Sequence, residues 1–139
     1  MPARKGAEKD VLGGVYQLLN VGAMTALATV YQSVAPPGAA FDYVVVQSPT
    51  AGRFDAMQQP GAEVHIEVHA IANKPDLAKA LDIVNKAVDL LDQQTLTMTT
   101  QRHLALNWES TETFRDPELV NGIPVFHAIG IFRAYVETV

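Results

Sequence analysis

Three ligand-type side chains alternate along His65-Ile-Glu-Val-His69. In an extended strand this places His65, Glu67 and His69 on one side, with neighbours roughly 6.6 Å apart along the chain. That is wide for three side chains to share one ion at bonds of about 2.0–2.2 Å, and it is not the helical His-Glu-x-x-His pattern of a zinc hydrolase. A solvated polar strand face therefore accounts for these residues better than a metal centre. His103 and His127 stand apart, each read as a single packed or exposed histidine. Ser33, Ser48 and Ser110 lie in no Gly-x-Ser-x-Gly turn, so no acyl-transfer nucleophile is indicated. Gly13-Gly14 lacks the lysine and spacing of a phosphate loop. Asp82, Asp89 and Asp92 read as a solvated helix face, and Met24, Met57 and Met98 as core or loop filler.

The elements that would carry these residues follow from periodicity. Val11, Leu12, Val15, Leu18 and Leu19 recur as one helical face, predicting a helix over 7–20 that Gly13 and Gly14 weaken. Residues 23–28 add a short turn of helix, and Val30-Tyr31 is a brief extended segment running into Ala35-Pro-Pro-Gly38. Phe41 to Ser48 is β-branched and aromatic, a strand buried on both faces, and Pro49 to Pro60 is a long loop. Residues 62–72 alternate as a half-exposed strand. Asn73-Lys-Pro-Asp76 then caps a helix whose stripe of Leu77, Leu81, Val84, Val88 and Leu91 runs to about Asp92. Arg102 to Ser110 alternates as a strand, with Leu104, Leu106 and Trp108 on one face. A polar loop from Glu109 ends near Asn121-Gly122, and 124–137 is the last strand. Phe126, Ala128, Gly130, Phe132, Ala134 and Val136 share one side of it. The expected fold is α+β, a largely antiparallel four-stranded sheet with two main helices packed on one face, forming a single domain over 1–139.

Composition narrows the function. The chain has 139 residues, no cysteine, and a net charge of −5. Disulfides, thiol nucleophiles and cysteine-type zinc sites are excluded. The charge has the wrong sign for clamping phosphates, so nucleic acid is not expected as a tight ligand. No apolar run reaches the roughly 20 residues of a membrane helix, and the charged N-terminus does not read as a signal peptide, so a cytosol is the default location and no membrane partner is expected. No cofactor is indicated. What remains is an assembly or binding module with two long polar loops, or a small hydrolase or metal-dependent enzyme on an α+β scaffold. Arg53, Phe54 and Met57 in the first loop, and Phe114 and Arg115 in the second, are candidate partner-binding residues, because arginine, aromatics and methionine are enriched at interface cores. Phe54 and Met57 could equally tuck back onto the domain.

The run Val30-Tyr-Gln-Ser-Val-Ala-Pro-Pro-Gly-Ala-Ala-Phe-Asp-Tyr-Val-Val-Val-Gln47 resembles the tail-completion, or tail terminator, proteins of long-tailed bacteriophages and gene transfer agents. The strand Glu63 to Ala70 with its following helix, and His127-Ala-Ile-Gly-Ile-Phe-Arg-Ala-Tyr-Val136 as a closing strand, extend the likeness from Val11 to Val136. The segment 107–121, with Trp108 and Phe114, matches no shared motif. The resemblance implies a structural ring, typically a hexamer, that caps the tail tube, stops its polymerisation and joins it to the head connector, with no catalysis. Its implied partners are the tail tube protein, the head-tail connector and further copies of itself, and its implied location is the virion tail or neck, with host cytoplasm during assembly. DNA would pass through the ring without specific binding. Six copies would carry roughly −30, which disfavours DNA adsorption in such a channel.

Overall fold

A computed structural model describes residues 7–53, 61–94 and 101–138. The elements run α1 (Ala7–Leu19), α2 (Gly22–Thr25), β1 (Thr29–Gln32), β2 (Tyr43–Arg53), β3 (Gly61–Asn73), α3 (Ala78–Leu91), β4 (Gln101–Arg115) and β5 (Val125–Thr138). The strands make one sheet in the order β1-β2-β3-β5-β4. All neighbours are antiparallel except β1 and β2, which run parallel from Thr29↔Tyr43 to Gln32↔Val46.

Among the described residues the sheet is therefore five-stranded and mixed, with three helices, where four largely antiparallel strands and two main helices were expected. The extra strand is the Thr29–Gln32 segment, too short to declare itself by alternation. Its strand character comes from the ladder that β2 offers it, a contact separated in sequence by the Pro36-Pro37-Gly38 turn.

The apolar stripes do what their periods imply. Val11, Val15 and Leu19 of α1 and Ile83, Val84, Ala87 and Leu91 of α3 are buried against one face of the sheet. There they meet Val44 and Val46, the expected Val64-Ile66-Val68-Ala70 row, and Ala128, Phe132, Ala134 and Val136. This burial holds α1 through Gly13 and Gly14, each of which costs a free helix about 1 kcal/mol. Gly130 is required by packing: a Cβ there would sit 3.1 Å from Phe132 and 3.4 Å from Val84.

Both expected loops begin as strand. β2 continues past Pro49 to Arg53, and the register with β3 breaks between Gln47 and Thr50. Pro49 has no N–H for the ladder, so the strand absorbs it in an irregularity and resumes. In the same way β4 continues through Glu109 to Arg115, with register shifts between His103 and Ala105 and between Trp108 and Ser110. Asn73 is not the helix cap. It ends β3, and Leu77 occupies the cap position without a side-chain bond, while Asp76 Oδ1 accepts the Ala78 N–H at 3.0 Å.

Only one face of the sheet carries helices. Near one end of the other, Val45, Ile71 and Val125 form a small second cluster with Tyr31, Ala35, Tyr43 and Val120.

Candidate interaction site at the end of the open sheet face

The site grows from one cross-strand row. The registers Tyr43↔Ile71, Ile71↔His127 and His127↔Phe114 line up four residues across β2, β3, β5 and β4. With strands about 4.8 Å apart, this row spans roughly 14 Å. The Phe114 ring stacks on the His127 imidazole, centroids 4.3 Å apart and planes 11° from parallel. At the other end Tyr43 packs against Phe41 at 5.5 Å and edge-on to Tyr31 at 6.0 Å.

The segment 116–124 returns from β4 to β5 over this end. Val120 and Ile123 exchange backbone hydrogen bonds, both 3.0 Å, around Asn121 (φ 54°) and Gly122 (φ 76°). Two consecutive positive φ values are the requirement that selects Asn-Gly in tight turns. Asn73 fixes the turn from beneath: its Nδ2 donates to the carbonyls of Ile123 at 2.9 Å, Pro124 at 3.1 Å and Val120 at 3.4 Å. The Asn73 N–H itself donates to Asp42 Oδ1 at 3.1 Å, and Asp42 Oδ2 pairs with Lys74 Nζ at 3.3 Å. His127 Nε2 lies 2.7 Å from Asp116 Oδ2, tying the start of the segment to the sheet. Between segment and sheet is a cavity of about 370 Å³, walled by Phe41, Tyr43, Ile71 and His127, with Asp116 and Glu118 at its polar side. Phe41, Phe114, Leu119 and Ile123 around it are exposed.

The alternating polar residues of β3 do not converge. His65 Nε2 lies 3.1 Å from Glu63 Oε1 and His69 Nε2 lies 2.8 Å from Glu67 Oε1, each histidine turning to the carboxylate two residues back. Among the described residues no three histidine or carboxylate side chains are placed to hold one ion. Arg133 Nε stands between Glu63 Oε1 at 3.1 Å and Glu109 Oε2 at 3.3 Å, within ion-pair distance but without hydrogen-bond geometry. The guanidinium is held further above its ordinary pKa, first by a hydrogen bond with Tyr135, then against opposing desolvation by the charges of Glu109 and Glu63. Neither Ser33 nor Ser110 hydrogen-bonds a described histidine.

Of the candidate partner-binding residues, Phe114 is at this site. Arg115 is not: strand alternation places it opposite Phe126, which packs toward the helix-covered face, so the two neighbours project to opposite sides of the sheet. Arg53 ends β2 opposite Ala62; its side chain, Phe54 and Met57 lie outside the described residues. Phe41, Tyr43, Asp116, Glu118 and His127 were not singled out from sequence as a group. The available signal was the Asn121-Gly122 turn, which marks a hairpin and, read with a longer β4, sets Phe114 beside His127.

The model of the family described as "Tail completion protein gp17" matches residues 15–137. None of the curated proteins matches the chain. Among solved structures the chain is similar to one in "Virion of native gene transfer agent (GTA) particle", with a TM-score of 0.83 and 21% identity over 96% of this chain and 98% of that chain. At that identity the likeness establishes the fold.

Proposed function

We propose that this chain, which belongs to the tail completion protein gp17 family, is a structural tail terminator that acts as a hexameric ring between the tail tube and the head connector. The observation that carries this reading is the family match, which takes in every strand and α3. The likeness in fold to a protein of a gene transfer agent particle agrees with it. Two physical features support the ring. The sheet has unlike edges, the short parallel β1 and the long antiparallel β4, so a contact that joins one edge to the other between copies is head-to-tail, the kind that closes into a ring when the rotation between copies allows it. The sheet also has unlike faces, one carrying helices and one open, which suits a part that accepts the tube on one side and denies it another subunit on the other.

In this reading Arg53, Phe54, Met57, Phe114 and Arg115 contact partners, DNA passes without specific binding, no catalysis takes place, and the protein joins the virion in the host cytoplasm. No observation favours the hydrolase or metal-enzyme alternative. The test mixes the purified chain with preformed tail tubes and follows particle size by light scattering and negative-stain microscopy. Rings seated on tube ends and an arrest of tube growth are expected; tubes that lengthen regardless overturn the proposal.

A further inference from the structure

We propose that the cavity under segment 116–124 is a socket for an arginine side chain presented by another protein of the assembly. The inference rests on reading this chain as a docking tail component, and it names the chemistry of what docks. At about 370 Å³ the cavity is at the small end of ligand sites and has room for an arginine side chain.

Its walls differ in kind. On one side the rings of Phe41 and Tyr43, 5.5 Å apart, offer aromatic surface, and Phe41 is exposed. On the other side are the carboxylates of Asp116 and Glu118. Among the described residues Glu118 has no ion-pair partner, and Asp116 spends only Oδ2 on His127, leaving Oδ1 available. Nearby cations are already engaged or directed elsewhere: Lys74 is on Asp42, and Arg115 is on the helix-side face.

A flat, delocalised cation stacks on aromatic rings and donates in parallel to carboxylate oxygens, and guanidinium does both where ammonium does only the second well. Ile71 and Val120 supply apolar wall for the methylene stem. Exposed Phe114, stacked on the His127 that lines the cavity, and exposed Leu119, next in sequence to lining Glu118 and Val120, are apolar surface for the segment carrying that arginine.

The experiment titrates the full-length protein, isotope-labelled for NMR, with blocked arginine (N-acetyl-arginine methylamide), blocked norleucine and blocked glutamate. Blocked arginine is expected to give saturable shifts confined to the cavity residues, Asp116 and Glu118 together with Phe41, Tyr43, Ile71, Val120 and His127, with norleucine and glutamate giving none. Glu118→Gln alone should weaken arginine binding several-fold without moving the melting temperature, since Glu118 is exposed, and adding Asp116→Asn should bring the loss to about tenfold or more at some cost in stability, since Asp116 also meets His127. Absence of a saturable arginine shift, or equal shifts from norleucine, overturns the socket. Tube capping by the same double variant separates the two claims. Arginine binding by an unaltered protein that never caps tubes would sink the terminator reading alone, and capping by a protein that never binds arginine, or undiminished capping by the double variant, would sink the socket alone.

Discussion

Phe114 of β4 lies flat on His127 of β5, and the far side of the same imidazole helps wall the cavity under segment 116–124. The stack connects an exposed aromatic at the sheet edge to the Asp116 carboxylate, which His127 meets at 2.7 Å. Phe114 is half exposed, so little of its area is contributed to folding. Phe114→Ala should therefore cost about 1 kcal/mol, the size of a lost ring pair, and lower the melting temperature by a few degrees. Its effect on partner docking should be larger than its effect on stability, read as capping activity at a temperature where the variant is fully folded. Equal fractional losses in both would show that the ring serves the fold only.

Asn73 is the next point of leverage. One side-chain amide reaches three carbonyls of the turn that covers the cavity, while its backbone N–H holds Asp42. Asn73→Ala leaves the backbone bond and removes the amide, so it should cost about 1–3 kcal/mol. The loss should be local. Hydrogen exchange is expected to speed up at Val120 and Ile123, whose mutual bonds close the turn, and to stay slow in the β3–β5 ladder. Uniform acceleration across the sheet would contradict this assignment.

Much of the fold is legible because burial on one side prints a period. The β3 row Val64, Ile66, Val68 and Ala70 and the β5 row from Ala128 to Val136 are buried as their alternation implies, and α1 buries Val11, Val15 and Leu19. In α3 only Val84 and Leu91 of the expected stripe are fully buried, with Ala80, Ile83 and Ala87 inward and Leu77, Leu81 and Val88 half-buried. What is illegible depends on partners distant in sequence. Glu109-Ser-Thr-Glu-Thr-Phe-Arg115 is polar on both sides because it forms a sheet edge beyond the helices, and an exposed edge strand has no apolar row to show. Asn73 has the composition of a helix cap, yet its amide is used by a turn some fifty residues later. The site inherits the same difficulty: Phe41, His127 and Asp116 meet only through a register across four strands, and no local window contains it.

Gly130 tests the packing of α3 onto that register. Phe132, at 3.1 Å, stands closer to its missing Cβ than ordinary contact, and Val84, at 3.4 Å, stands at the near limit of contact. Gly130→Val should force both aside and cost about 1–3 kcal/mol, the usual range for overpacking a filled core. Pairing it with Val84→Ala should recover part of the loss, since that change removes one of the two obstructing side chains. Chemical denaturation of the two single variants and the double gives the coupling directly. Strict additivity would mean that Val84 is not what Gly130 accommodates.

The last prediction concerns the other end of β2. Arg53 closes the strand opposite Ala62, and Phe54 and Met57 follow it in the connection to β3. An arginine, a phenylalanine and a methionine among small and polar neighbours are the residue types that concentrate binding energy at interfaces. The ladder contact of Arg53 is made by its backbone, which survives side-chain truncation. Replacing Arg53 and Phe54 together with Ala should therefore leave the melting temperature nearly unchanged while producing overlong tubes or heads and tails that fail to join, scored by electron microscopy of assembled particles. Normal termination by a folded double variant would remove this connection from the docking surface, and a large drop in melting temperature would show that Phe54 packs on the domain. In either case the partner contact passes to the Phe114–His127 end of the open face, where Glu118→Gln and Phe114→Ala provide the discriminating variants.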